Sequence, residues 1–133
     1  MKHRSTVLTV VIFSVCLAHF NCSHYFSLQS AKQMYKLTKI SNVDLSKVQD
    51  GAYVGFCDLT LITAMVRVTV AGGKIEAVDL LEHHYFKKYS GEPVVKQVLD
   101  KQSLSVDGVT GATYSAHTVL KAIERALLIG LKS

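Results

Sequence analysis

The sequence contains few cysteines, and their arrangement argues against two kinds of site. Cys16, Cys22 and Cys57 are the three cysteines in 133 residues, and no spacing among them resembles a metal knuckle or a CxxC redox pair. Cys57 falls in a predicted strand, where its favoured interpretation is a small apolar side chain of the core. A Cys22–Cys57 disulfide remains an alternative if the chain is exported, because disulfides persist outside the cytoplasm.

Acidic residues are missing from the first 41 positions, where five of the 15 basic residues lie. From residue 42 onward, ten Lys and Arg residues are balanced by ten Asp and Glu residues. A nucleic-acid-binding protein carries its basic excess on the folded domain. The excess that gives the formal charge of +5 thus lies in the first 41 residues and not on the domain. This position argues against nucleic acid as a partner and indicates a targeting segment.

The basic start leads into an apolar run over residues 7–18, VLTVVIFSVCLA. This arrangement is typical of a secretory signal, whereas a spanning helix needs about 20 apolar residues. No charge lies between Arg4 and Lys32, so the segment is long enough to span if its polar residues reach an interface. We predict that residues 1–27 are a signal sequence or membrane anchor, with the domain on the extracytoplasmic side. Cleavage after Ala18 is the alternative to an uncleaved anchor.

The rest of the chain divides into a connecting segment and one domain. Residues 28–49 are predicted to contain a short basic amphipathic helix, over 28–39, followed by a polar linker. The domain occupies residues 50–133. A chain of this length, with 49% hydrophobic residues, has room for one core and not two. It contains neither internal repeats nor low-complexity tracts.

Alternating apolar residues in the first half of the domain predict an antiparallel meander. Residues 52–58 form one predicted strand. In the run 61–71, valines alternate with polar residues, a period of two that buries one face of a strand. Gly72-Gly73 is a two-residue hairpin signal, and residues 74–81 return as the partner strand.

In the second half the period becomes helical. Residues 92–100 carry a helical apolar stripe, with Pro93 suited to the first turn. A polar, glycine-containing loop covers 101–114, and residues 115–131 present an apolar face at helical spacing. Strands followed by helices predict an α+β fold. It is a twisted antiparallel β-sheet with helices packed against it, preceded by the N-terminal apolar anchor or signal helix.

The residues of chemical interest lie just before the last helix, in DGVTGATYS at 107–115. Its small residues at 111–112 let the backbone approach a bulky ligand. The hydroxyls of Thr110, Thr113 and Ser115 can donate to phosphate oxygens, beside a helix N-terminus that favours anions. An ordinary N-cap at Thr113 or Ser115 explains the same residues, so the loop alone leaves both interpretations open.

Over residues 45–128 the domain resembles the short FMN-binding domain family. The matching stretches are LSKVQDGAYVG, VRVTVAGGKIEAVDLLEHH and KQSLSVDGVTGATYSAHTVLKAIERAL. The third is the specific one, because it combines a leading acid, a hydroxyl, Gly-Ala-Thr and a second hydroxyl. The family resembles the covalently flavinylated domains of the sodium-pumping NADH:quinone reductase and of the related electron-transport complex.

The resemblance implies that FMN is the cofactor and that a flavin transferase is a maturation partner. That enzyme uses FAD and a divalent metal to esterify FMN phosphate onto the final threonine of Gly-Ala-Thr, which is Thr113 here. Asp107 corresponds to the leading acid of the motif. The implied cofactor-binding residues are Thr113, Asp107, Thr110, Gly111, Ala112, Tyr114, Ser115 and His83. A neutral threonine hydroxyl is a poor nucleophile, so the need for an outside enzyme makes chemical sense.

The sequence departs from the family pattern in two places. His83 corresponds best to the family's histidine, but an aromatic and basic segment follows it where a Gly-rich turn is common. Ser115-Ala116 replaces a frequent pair of hydroxyls. His83 and His84 are adjacent on a strand and point to opposite faces, so we predict no metal site. A polar strand end is the favoured interpretation of these histidines, and a flavin contact is the second.

Four other side chains have a structural interpretation, and for the three aromatic ones flavin stacking is the alternative. We interpret His117 as a surface residue of the last helix. Tyr53 and Phe56 are interpreted as core aromatics, since aromatics at sheet positions usually pack there. Tyr114 adjoins the proposed attachment point, and flavin stacking and packing are equally favoured for it.

Two main functional hypotheses follow. The first is a covalently flavinylated electron carrier that exchanges electrons with membrane redox partners and is not a stand-alone enzyme. The second is a module of the same fold that binds FMN reversibly or has no redox role. A small flavin reductase with its own substrate is a third, weaker option.

Overall fold

The computed structural model describes residues 38–85, 90–107 and 113–131. The predicted anchor, and the predicted basic helix up to residue 37, lie outside the described residues. So do Thr110, Gly111 and Ala112 of the motif.

The sheet has three antiparallel strands in the order β1-β2-β3. They are β1 Gly51–Asp58, β2 Thr63–Ala71 and β3 Lys74–His84. The predicted meander is confirmed, although β3 runs three residues farther than the predicted strand end at residue 81. Gly72 and Gly73 form the β2–β3 turn with φ values of 56° and 72°. A two-residue turn that needs positive φ at both positions favours glycine there.

Two helices lie on one face of this sheet: α1 Pro93–Lys101 and α2 Thr113–Ile129. The predicted α+β fold, an antiparallel sheet with helices packed against it, is therefore confirmed. Helix α2 packs mainly on β1 and β2. Its closest approach is at Gly55, where an added Cβ would overlap the backbone of Ala122 and Ala126.

The core lies between the sheet and α2. It includes Cys57, which is fully buried with a free thiol, as predicted for a small apolar side chain. The segment predicted as a linker also contributes to this core, through Val43 and Val48. That segment forms a short 3-10 turn over Leu45–Lys47, and Val48 pairs with Leu131 just beyond the end of α2.

The other face of the sheet carries Phe56, so the interpretation of Phe56 as a core aromatic is wrong. Its side chain is 45% exposed. The reason is strand parity: Gly55 and Cys57 face the helices, so Phe56 between them must face the other way. Tyr53 shares the helix-facing parity and is half-buried. It packs against the core, and its hydroxyl donates to the Gln49 carbonyl at 2.9 Å.

No helix in the described ranges is both long and apolar enough to cross a membrane.

Candidate functional site

The N-terminal end of α2 is where the sequence places the candidate site. Thr113 is the first residue of the helix and is exposed, as is Tyr114, whereas Ser115 and Ala116 are buried. The first backbone N–H groups of a helix lack intrahelical partners and create a positive electrostatic end. An exposed hydroxyl at this position can carry or approach an anionic group such as a phosphate.

Gly91 packs directly against this first turn. A Cβ added at Gly91 would lie 2.7 Å from the Ser115 carbonyl oxygen and 3.0 Å from the Ala116 nitrogen. The glycine therefore lets the chain before α1 touch the backbone of α2. This contact explains why Ser115 is only 2% exposed while its neighbour Thr113 remains accessible.

A β-bulge in β3 directs His83 toward the same layer as the helices. Val66 pairs with Leu80 and Met65 pairs with Glu82, so Leu81 is an extra residue in the ladder. Bulges of this kind reorient the side chains that follow them. As a result His83 lies opposite the fully buried Ala64, and side chains directly opposite each other share a face.

His83 is half-buried, and its two ring nitrogens have no polar partner among the described residues. Neither of its nitrogens has a hydrogen-bond partner in the structure as described, and both are inaccessible to solvent. The ring packs on Tyr85, with ring centroids 4.5 Å apart. Buried polar atoms are almost always hydrogen-bonded, so the described residues leave the donor and the acceptor of this ring unused.

Burial lowers the pKa of the His83 imidazole, and nearby His84 acts in the same direction. The Glu92 carboxylate opposes this shift and raises the pKa. The net lowering keeps the ring neutral at pH 7, with one nitrogen as donor and the other as acceptor.

His84 points to the opposite face of the sheet, as predicted for adjacent strand residues. Its Nε2 lies 2.8 Å from the Glu82 carboxylate at an exposed position. Among the residues described, no group of three or more His, Cys, Asp or Glu could hold a metal ion.

Asp107 lies at the edge of the described structure, immediately before the motif loop. Its carboxylate is highly exposed and accepts a hydrogen bond from Lys101 Nζ at 3.3 Å. The pairing links the motif's leading acid to the end of α1. Sequence reasoning missed Lys101, Gly91 and Glu92, since each becomes a neighbour of the site only through chain folding.

His117 is half-buried, where the sequence suggested a surface residue. It lies one turn after Thr113, and its Nε2 donates to the Thr38 carbonyl oxygen at 2.7 Å. It therefore connects α2 to the N-terminal segment of the described structure and does not stand free on the helix surface.

This α+β domain has an exposed hydroxyl at a helix N-terminus and a half-buried imidazole whose nitrogens have no polar partner in the described ranges, two features suited to an anionic, hydrogen-bonding ligand. The chain belongs to the FMN-binding domain family: the family model matches residues 61–128, just over half of the sequence. The match includes His83, Asp107 and Thr113, and it assigns FMN as the cofactor.

One curated relative is an uncharacterized protein of Treponema pallidum (strain Nichols). It is 29% identical over 85 residues, which cover 62% of this chain and 24% of the relative. The chain thus spans about a quarter of the length of the curated relative that it matches. No solved structure matches the chain.

The residues present fit this cofactor. The exposed start of α2 suits a phosphate, and the two unpartnered nitrogens of His83 suit the mixed donors and acceptors of a flavin ring. Thr113 and His83 belong to different elements. Helix α2 passes Gly55 at Ala122 and Tyr53 at Gly130, so its first residue lies toward the end of the sheet that holds His83.

We expect the domain to lose stability as the pH falls through about 6.5, the ordinary pKa of histidine. The folded-state pKa values of His83 and His117 are both lowered by burial. The unfolded chain therefore binds more protons than the folded protein, and the free energy of unfolding decreases with falling pH. Urea unfolding from pH 8 to pH 5 measures this slope.

The variant His83→Gln should have a shallower pH dependence than the parent, and His117→Gln should show a separate reduction. Glutamine does not titrate in this range, so the change in slope measures the contribution of each histidine to the pH dependence. A slope unchanged by both substitutions would contradict the proposed protonation linkage.

Proposed function

We propose that this chain is an extracytoplasmic electron carrier whose FMN is joined through a phosphoester to Thr113. Membership of the FMN-binding family carries the flavin part of the proposal. The exposed position of Thr113 at the first residue of α2 supports the attachment point. A side chain sealed in the core would be inaccessible to a modifying enzyme.

The attachment step is a phosphoryl transfer without net oxidation or reduction. The Thr113 Oγ1–phosphorus bond forms as the phosphoanhydride bond of FAD breaks, and AMP leaves. The hydroxyl proton passes to a base of the transferase or to water. Thr118, the nearest following threonine, is buried and donates to the Tyr114 carbonyl at 2.8 Å, so it is not accessible for the same reaction.

The bound FMN supplies one- or two-electron redox chemistry, and the protein supplies position and electrostatics. The free N–H groups of α2 favour the phosphate. Neutral His83 offers a hydrogen bond to the ring. The remaining residues assigned to binding are Asp107, Thr110, Gly111, Ala112, Tyr114 and Ser115.

The N-terminal sequence supports a location outside the cytoplasm. A basic start and an apolar run support residues 1–27 as the membrane anchor or export signal. A covalent tether would retain the flavin outside the cytoplasm, away from its supply. Membrane redox partners and a flavin transferase complete this proposal.

The test is co-expression with a flavin transferase, followed by a denaturing gel and intact-mass measurement. We expect flavin fluorescence on the gel and a mass gain that matches esterified FMN. The variant Thr113→Ala should lose both signals completely and still unfold cooperatively. The control Thr69→Ala makes the same change on β2, near the Gly72–Gly73 turn, and should remain labelled.

Other results would redirect the assignment. Labelled Thr113→Ala would show that another residue carries the flavin. Native protein that binds FMN but releases it on denaturation would support the reversible binding module. Turnover of an electron acceptor with its own substrate, by the purified holoprotein alone, would support a flavin reductase.

A further inference from the structure

The domain has two distinct ends, set by the direction of α2. Thr113 begins the helix at one end, together with Gly91 and His83, and we call this the site end. At the other end, Leu131 pairs with Val48 just after the helix, close to the Gly72–Gly73 turn. The 17 residues of α2 separate the two ends by about 25 Å at 1.5 Å per residue.

Residues 38–41 form a strap that is held along α2 by three polar side chains. His117 Nε2 donates to the Thr38 carbonyl at 2.7 Å, and Lys121 Nζ donates to the Lys39 carbonyl at 2.8 Å. The Ser41 amide donates to Glu124 Oε1 at 2.8 Å. Helix positions four and three apart lie on one face, so a single face of α2 binds the backbone of Thr38, Lys39 and Ser41.

The order of these contacts fixes the direction of the strap. Thr38 contacts α2 near its start, and Ser41 contacts it farther along at Glu124. The strap thus runs parallel to α2, so Thr38, the first residue that the structure describes, lies toward the site end, and Ser41 lies closer to the other end.

We infer that the strap holds the domain with its site end toward the lipid surface that the N-terminal segment enters. This inference rests on the proposed function, which places an anchor at residues 1–27. Only ten residues, 28–37, separate that anchor from the strap, and ten residues span at most about 35 Å when fully extended. The flavin at Thr113 would then face partners embedded in the membrane, with the hairpin turn about 25 Å farther away.

The experiment compares two dye positions on the full chain in phosphatidylcholine vesicles that carry a headgroup-attached energy acceptor. Glu92→Cys places a donor dye at the site end, and Lys74→Cys places it beside the Gly72–Gly73 turn; both positions are exposed. Cys16→Ser and Cys22→Ser remove the other cysteines, and Cys57 is fully buried. We expect energy transfer about twofold or more higher from Glu92→Cys, given ends about 25 Å apart.

A second variant tests whether the strap sets this orientation. A ten-residue Gly/Ser insertion between residues 37 and 38 leaves the strap contacts intact and adds about 17 Å of flexible spacing. It should reduce the difference between the two dye positions. Equal or reversed transfer in the parent chain, or failure of the chain to associate with vesicles, would overturn the inference.

The dye reports orientation without any flavin, so the two proposals can fail separately. The same preparations are run on denaturing gels for flavin fluorescence. Asymmetric energy transfer without a flavin signal would retain the orientation and remove the covalent attachment. A flavin signal with equal energy transfer from the two dye positions would retain the covalent attachment and remove the orientation.

Discussion

Replacement of Glu124 by alanine should lower the free energy of unfolding by about 3–5 kcal/mol, the cost of breaking a buried ion pair. Glu124 is 3% exposed. One carboxylate oxygen accepts from the Ser41 amide, and the other pairs with Lys121 Nζ. The second oxygen makes this ion pair but has no hydrogen bond with acceptable geometry in the described parts of the chain.

The loss would be large because Glu124→Ala leaves two buried groups without their partner. The Ser41 amide loses its acceptor, and the largely buried ammonium of Lys121 loses its counter-charge. Glu124→Gln retains an oxygen acceptor for Ser41 but no charge, so an intermediate loss is expected. Urea denaturation measures all three proteins.

The matched control is Asp79→Ala, which breaks the exposed ion pair with Arg67. That pair spans 3.9 Å, and both side chains are at least half exposed. Exposed pairs contribute about 0–1 kcal/mol, so the control should be close to the parent. If Glu124→Ala cost no more than Asp79→Ala, the strap would not be held as described.

Gly55→Ala should destabilise the domain by about 3 kcal/mol or more, at or above the upper end for overpacking. The added Cβ would overlap the carbonyl oxygen of Ala122 and lie 2.6 Å from the nitrogen of Ala126. These are backbone atoms of α2, which cannot rotate away as a side chain could. The helix would have to lift from β1, with loss of packing along the core.

Gly72→Ala provides the control for this substitution. Gly72 has φ of 56°, and an added Cβ there meets nothing within 4 Å. The destabilisation by Gly72→Ala comes from backbone conformation alone and is about 1–2 kcal/mol for an L-residue in the left-handed region. Thermal unfolding should therefore show a clearly larger shift for Gly55→Ala. Equal shifts would mean that α2 can accommodate a methyl group at the contact.

Local sequence patterns predicted the secondary structure well because each signal acts over a few residues. The period of two identified β2, and the paired glycines identified its turn with β3. The helical stripes identified α1 Pro93–Lys101 and α2 Thr113–Ile129 to within two residues at each end. Phe56 was misplaced because its type suggested burial, whereas strand parity relative to Gly55 decides its face.

The site was only partly predictable from the sequence. The motif and the resemblance pointed to Thr113 and His83 separately. The approach of Gly91 to Ser115 depends on a contact between distant elements, and the charge of Glu92 acts on the pKa of His83 from a separate element. The bulge at Leu81 is likewise invisible in the strand pattern, since it depends on how β3 pairs with β2.

The resemblance over residues 45–128 was enough to predict the family and the cofactor class. Local periodicity predicted the order of strands and helices, because it depends on residues close together in the chain. The exposure of Thr113 beside a buried Ser115 emerged from the folded domain alone. So did the orientation of His83 toward the helix layer and the position of Thr38 beside the start of α2. Those features come from packing and hydrogen bonds between residues as far apart as Thr38 and His117, whose partners no local pattern specifies.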